Sequence, residues 1–229
     1  MNQPMFSIIL PVMNQADHIG QVIQTHHRLL TKQGISFELI AIVNGTTDNS
    51  FSVCQKLAKQ LAGVKAYKLK QGGYGRGVLY GLKKAHGRYL CYINSARVHS
   101  DELIKCLQLF LEDPKGIFHA VRVKRDRWLR KITSVIYLVG CWLVTGVSSL
   151  DINGTPKIFS QKIFDQLQLS FIDSMIDLQL LERAKKLKIP VKEIPIYNNN
   201  RFGGRSTSNF KTVFRLFKEL IMYSIDSHR

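Results

Sequence analysis

Five short apolar runs, most of them followed by a stretch with helical spacing, constrain this chain more than any other feature. Phe6–Val12 (FSIILPV), Phe37–Val43 (FELIAIV), Val64–Leu69, Tyr89–Ile93 (YLCYI) and Gly116–Val123 have strand length. Between them, Asp17 to Lys32 sets Ile19, Val22, Ile23 and Leu29 or Leu30 on one helical face. Ser50 caps a helix running to Leu61, the Gly-rich KQGGYGRG leads into a helix to about Ala85, and Asp101–Glu112 is a further helix. Apolar strands alternating with amphipathic helices predict βαβ units, hence an α/β fold with a mostly parallel sheet covered on both faces. Ligands of such sheets bind beyond the carboxyl ends of the strands. The loops to inspect are therefore Met13–Ala16, Asn44–Asn49, Lys70–Arg76 and Asn94–His99.

The last third has another texture. Arg127–Val147 reads as a long apolar helix with a basic start, Thr155–Phe159 as a short strand, Asp173–Leu187 as a helix and Val191–Ile196 as a strand. A polar loop, NNNRFGGRSTSN, precedes an amphipathic helix over Phe210–Ile225. Ile132 to Leu150 holds no charge, which makes it a membrane-span candidate by length. Its Thr, Ser and Gly content and the flanking Arg127, Arg130 and Lys131 favour a buried or membrane-surface helix instead. Cys54, Cys91, Cys106 and Cys141 form no C-x-x-C pair and sit in apolar or helical stretches, so buried free thiols in a reducing cytosol are expected. The adjacent His26 and His27 have no carboxylate or Cys company and read as helix-surface residues.

With 33 Lys+Arg against 16 Asp+Glu, the net charge is +17, which calls for an anionic partner. A hydrophobic share of 45% excludes a disordered polycation. No helix-turn-helix, zinc finger or RNP-like strand appears, so nucleic acid is not expected as a partner.

The order of motifs resembles family-2 glycosyltransferases, in the branch of dolichol-phosphate mannose synthase. SIILPVMNQ is similar to the first strand and loop of that family, and ELIAIVNGTTDNS to its E-I-I-V-V-D-D-G-S-T-D-G-T segment. GGYGRGVLYGLKKAHGRYLCYINSARVHSDEL resembles the stretch from the Gly-rich loop through the D-x-D metal motif, and IFHAVRV a strand ending in G-S-R. DINGTPKIFSQKIFDQL, MIDLQLLERAKKLKIPVKEIPI and RFGGRSTSNF resemble the acceptor-side half. The resemblance covers residues 5–220 and implies one GT-A domain over 1–229 with a Rossmann-like sheet, a nucleotide-sugar-binding half over 1–123 and an acceptor-facing half over 124–229. It implies a nucleotide-diphosphate sugar as donor, a polyprenyl (lipid) phosphate or glycan as acceptor, and a cytoplasmic protein peripheral to the inner face of a membrane. On this reading Pro11, Asn14, Gln15, Asn44, Gly73, Gly75, Arg76, Asn94, Ser95 and Arg97 bind the nucleotide sugar, with Gly-rich backbone amides close to its phosphates.

The chain departs from that pattern in one direction. Gln15, Val43, Asn44, Asn94, Ala96 and Gln179 stand where the family has acids. The family would use Mg²⁺ or Mn²⁺, and an Asn carbonyl lacks the charge that gives such a site its affinity. We therefore expect no tight metal site, no bound metal cofactor, and Arg97, Lys70 or Arg76 in the ion's role. The alternative is a catalytically inactive GT-A protein acting as a scaffold.

On the acceptor side, Arg122, Arg127, Lys131, Arg201 and Arg205 are the candidate phosphate ligands, and cation adjoins apolar helix. Asp151 and Asp177 are the surviving acids and candidate catalytic groups; Asp177 serves as base if the acceptor is a hydroxyl. The last helix carries enough Phe to pack against a second copy as a homo-oligomer, a membrane, or the domain itself.

Overall fold

The computed structural model describes residues 3–123, 128–197, 202–203 and 210–227, leaving aside the side chains of 128–133, 210–214 and 226–227. Strands β1 (Phe6–Val12), β2 (Phe37–Asn44), β3 (Val64–Leu69), β4 (Tyr89–Tyr92), β5 (Ile117–Arg122), β6 (Lys157–Ser160) and β7 (Val191–Ile196) form one sheet in the order β3-β2-β1-β4-β6-β5-β7. Helices α1 (Ile19–Lys32), α2 (Ser50–Gln60), α3 (Tyr74–Lys84), α4 (Ser100–Glu112), α5 (Trp128–Thr145), α6 (Gln161–Leu167), α7 (Ile176–Lys186) and α8 (Phe210–Ser227) cover both faces. The α/β expectation holds. Short α6, with Ser160 capping the Ile163 amide, was not anticipated.

Strand alternation divides the core. Phe6, Ile8, Leu10 and Val12 of β1 pack with α1, α2 and α4, while Ile9 faces α3 and the helices of the second half. All pairings are parallel except those of β6, which runs antiparallel between β4 and β5. The carboxyl ends of the other strands and the start of β6 therefore share one edge, and every loop singled out from the sequence emerges there. All four cysteines are buried free thiols.

The opposite edge carries a structural knot. Glu38, buried at the start of β2, accepts from Ser7 Oγ (2.5 Å), the His86 amide (2.6 Å) and Lys65 Nζ (2.7 Å). Ser7 Oγ in turn accepts from the Gly87 amide at 2.7 Å. These bonds join β1, β2, β3 and the turn into β4 far from the binding edge.

His26 corrects the surface reading. It lies on the face of Val22, Ile23 and Leu30, is fully buried, and its Nδ1 meets Ser100 Oγ of α4 at 2.7 Å. Burial first, and His99 second, lower its pKa from 6.5 to about 4. Between those values the unfolded chain takes up a proton that the folded chain refuses. Stability is therefore full above pH 6.5 and falls as the pH drops toward 4, by about 3 kcal/mol from this residue. Denaturant unfolding of the native protein and of His26→Gln across pH 4–7 checks this, with a flatter profile expected for the variant.

Helix α5 packs on α8, with the Tyr137 and Phe217 rings 6.4 Å apart and Gly140 giving room to Leu220. Outward, α5 exposes Val135, Ile136, Val139, Trp142 and Leu143, and α8 exposes Ile221, Met222 and Ile225. Among the described residues no helix is long and apolar enough to cross a membrane.

Candidate functional site

The first three strand ends are laced together by side chains. Asn14, at φ 52°, accepts from the Thr47 amide on its side chain (2.9 Å) and donates its own amide to Thr46 Oγ1 (3.0 Å). The Gln15 amide donates to Ser50 Oγ at 2.8 Å, and Asp48 accepts from the Ala16 amide at 2.9 Å and from Ser50. Gly45, at φ 59°, lies so close to Gly72 that a Cβ would sit 2.5 Å from its Cα. Asn44, buried at the end of β2, donates to the Gly73 carbonyl at 2.5 Å. The first loop, the second loop and the Gly-rich loop thus form one wall.

Beyond β4, the segment Asn94–Val98 folds on itself. Asn94 Oδ1 accepts from the Ala96 amide (3.1 Å), and its carbonyl accepts from the Arg97 and Val98 amides (3.0 Å each). Ser95 Oγ donates to the Pro11 carbonyl (2.7 Å) and lies 2.9 Å from Gln15 Oε1. The Ala96 carbonyl takes the Phe202 amide at 3.1 Å, and the Phe202 ring packs 4.3 Å from that of His99. Gly203 sits against His18 and Asp17. Residues 202–203 therefore rest on the first and fourth loops.

These groups do not fit a hard divalent ion. Position 96 offers no side-chain oxygen, Ser95 is committed to Pro11, and the Asn94 oxygen is neutral and already bonded to an amide. No cluster of three His, Cys, Asp or Glu suited to a metal occurs among the described residues.

The Gly-rich loop corrects a second expectation. The Gly75 and Arg76 amides do not face open space for phosphate; they donate to the carbonyls of Asp173 (3.1 Å) and Ile172 (2.8 Å). A Cβ on Gly75 would lie 2.5 Å from Asp173 O and 2.6 Å from Phe171 O, so glycine is required here by close backbone packing. Arg76 Nε turns back to the Gly72 carbonyl at 3.3 Å.

The acceptor half contributes a buried charge network. Arg122, at the end of β5, grips Asp151 through Nε (2.5 Å) and Nη2 (2.8 Å). Lys157, at the start of β6 and fully buried, donates to the carbonyls of Ile152 (2.9 Å) and Gly154 (2.7 Å) and to Asp177 Oδ1 (2.7 Å). The same Asp177 oxygen accepts from Tyr92 Oη at 2.7 Å. Burial lowers the Lys157 pKa, and Asp177 only partly offsets that. Tyr74, at the start of α3, has its phenol pushed upward by burial and by Asp177. Asp177 is thus a buried ion-pair partner, with 2% exposure. The spacing of TPKIF gives no cue to a buried lysine, and Lys157 is absent from the residues singled out from the sequence.

Among the expected phosphate ligands, Arg122 is drawn in with Asp151, whereas Arg127, Arg201 and Arg205, and the side chain of Lys131, lie outside the described residues. Arg97 and Arg122 line one pocket, together with Asn94, Asn153 and Thr155. Asn153 Oδ1 is buried there without a hydrogen-bond partner.

The model of glycosyl transferase family 2 matches residues 7–168. Minor teichoic acid biosynthesis protein GgaB of Bacillus subtilis is 27% identical over 122 residues, covering 52% of this chain and 13% of its own. An uncharacterized glycosyltransferase of Haemophilus influenzae is 32% identical over 123 residues, covering 52% and 47%. The chain thus spans less than half the length of either of these curated relatives. Glucosyl-3-phosphoglycerate synthase of Mycobacterium tuberculosis, solved with Mn²⁺, UDP-glucose and phosphoglyceric acid, superposes with a TM-score of 0.73 at 13% identity, over 96% of this chain and 79% of that one. At that identity the likeness is one of fold.

Proposed function

This chain belongs to glycosyl transferase family 2, and from that premise we propose that it moves a sugar from a nucleotide-diphosphate sugar to a lipid phosphate of the polyprenyl class, with arginine in the place of a divalent ion. The observation that supports the reading is that Arg97 and Arg122 line one small pocket together. Breaking the bond between the anomeric carbon and the diphosphate leaves the electron pair, and negative charge, on the leaving group. A guanidinium beside that oxygen stabilises the charge as it develops. The new bond comes from an acceptor phosphate oxygen, already anionic at neutral pH, so no proton has to be removed. That suits a site where Asp151 and Asp177 are both held by cations. In this reading the two acids position Arg122 and the 152–154 loop and do not act as bases.

The exposed apolar faces of α5 and α8 supply the surface on which a lipid acceptor is met. Trp142→Glu combined with Leu143→Glu is expected to abolish flotation with anionic vesicles while unfolding at the native temperature. Equal flotation of native and variant protein sinks the membrane role.

A catalytically inactive relative with a binding or scaffold role is the second reading. It is favoured by the way Gln15 and Ser95 close on one another while the Asn94 side chain closes on the Ala96 amide. Thermal shift with a panel of nucleotide sugars separates the two. The first reading expects stabilisation that EDTA leaves intact, about 2.7 kcal/mol at a hundredfold excess over Kd. No shift with any nucleotide sugar, with or without Mn²⁺, transfers the case to the second.

A further inference from the structure

Gln179 stands in the first turns of α7, 2% exposed, and makes three hydrogen bonds to one short segment. Its Oε1 accepts from the amides of Ser170 (2.8 Å) and Phe171 (3.1 Å), and its Nε2 donates to Ser170 Oγ (2.9 Å). Two backbone donors on one oxygen fix which end of the amide is which. The next two residues of that segment, Ile172 and Asp173, turn their carbonyls onto the Arg76 and Gly75 amides of the Gly-rich loop. Asn44 holds the same loop from the other side, at the Gly73 carbonyl. Phe171 is backed by the Tyr223 ring of α8, 4.6 Å away.

We infer that Gln179 is a positioning residue for the donor: it holds Ser170–Asp173 against the Gly-rich loop and thereby sets the wall that Asn44, Gly73 and Arg76 present to a nucleotide sugar. The inference rests on the donor reading above. The physical reason is preorganisation. A glycine-containing loop has more freedom to lose than any other when a ligand orders it, and one already held at the Gly73 carbonyl and the Gly75 and Arg76 amides loses little on binding. Gln179 touches none of the donor-facing residues itself. Its effect passes through two backbone hydrogen bonds, so it belongs to the affinity of the ground state and not to the reacting atoms.

The test compares Gln179→Ala, Gln179→Glu and Ser7→Ala in the full chain. Ser7→Ala breaks the knot at the far edge of the sheet and serves as a control for general loss of stability. Amide hydrogen exchange over residues 72–77 is expected to quicken in Gln179→Ala and to stay near native in Ser7→Ala. Donor Kd, read by calorimetry with the nucleotide sugar that stabilises the native protein, is expected to rise about tenfold in Gln179→Ala, the scale of one or two net hydrogen bonds. Gln179→Glu keeps an acceptor for both amides and is expected to restore donor Kd to within about threefold of native. Unchanged exchange in Gln179→Ala overturns the inference, as does a Kd that moves no more than in Ser7→Ala. If the native protein binds no nucleotide sugar, the donor reading falls by itself, and exchange alone decides whether Gln179 sets the loop.

Discussion

Lys157→Met is expected to lower the unfolding free energy by about 3–5 kcal/mol, the usual cost of removing one partner from a buried ion pair. Three losses coincide. Asp177 keeps only the Tyr92 hydroxyl as a donor on its shared oxygen, at a site with 2% exposure. The carbonyls of Ile152 and Gly154 lose the ammonium that they share. The loop between them, which carries Asn153 into the pocket, loses its anchor. Met retains much of the aliphatic volume, so the loss reports charge and hydrogen bonding more than cavity formation. Burial lowers the Lys157 pKa, and the attraction of Asp177 acts against it. For that reason Lys157→Met combined with Asp177→Leu is expected to recover most of the deficit, since two uncharged side chains need no mutual compensation. Denaturant unfolding of the two singles and the double closes the cycle. A loss below about 1 kcal/mol for Lys157→Met would falsify the view that this pair organises the acceptor half.

Arg97→Glu is expected to cut turnover by at least about 100-fold, the scale set by removing one preorganised charge-stabilising group. Reversal of sign adds repulsion against the diphosphate to the lost attraction. Arg97 follows the Asn94-Ser95-Ala96 turn directly, and its amide is fixed to the Asn94 carbonyl at 3.0 Å. The converse experiment places acids at the same turn. Asn94→Asp with Ala96→Asp is expected to make donor binding depend on Mn²⁺ and become sensitive to EDTA, because two carboxylates at that turn supply the hard, charged oxygens that are now missing. Native-like turnover or donor affinity in Arg97→Glu excludes Arg97 from the ion's role, whatever the double variant does.

Local order was readable before any coordinates. Phe6–Val12 was legible as a strand from the length of its continuous apolar run, and the turn residues after the strands marked the binding edge. His26 was readable too and was misread. It is three and four residues from Ile23 and Val22, which places it on the apolar face of the helix. The Gly-rich loop was located correctly, but its amides were assigned to phosphate. Whether a backbone amide is free depends on what packs against it, and Ile172 and Asp173 arrive there from nearly a hundred residues away.

The sequence by itself determined most of the strands and helices, that the sheet is largely parallel, and that Asn94, Ser95 and Ala96 follow the fourth strand. Those properties follow from side-chain period, turn chemistry and residue identity, all of which are local. Only the tertiary structure decided that β6 enters antiparallel between β4 and β5. That insertion buries Lys157 and brings it to Asp177, and the loop before it joins Asp151 to Arg122. A charge has no preferred environment until its neighbours are fixed. The same lysine is an exposed solubilising group or a buried strut according to the strand that lies beside it.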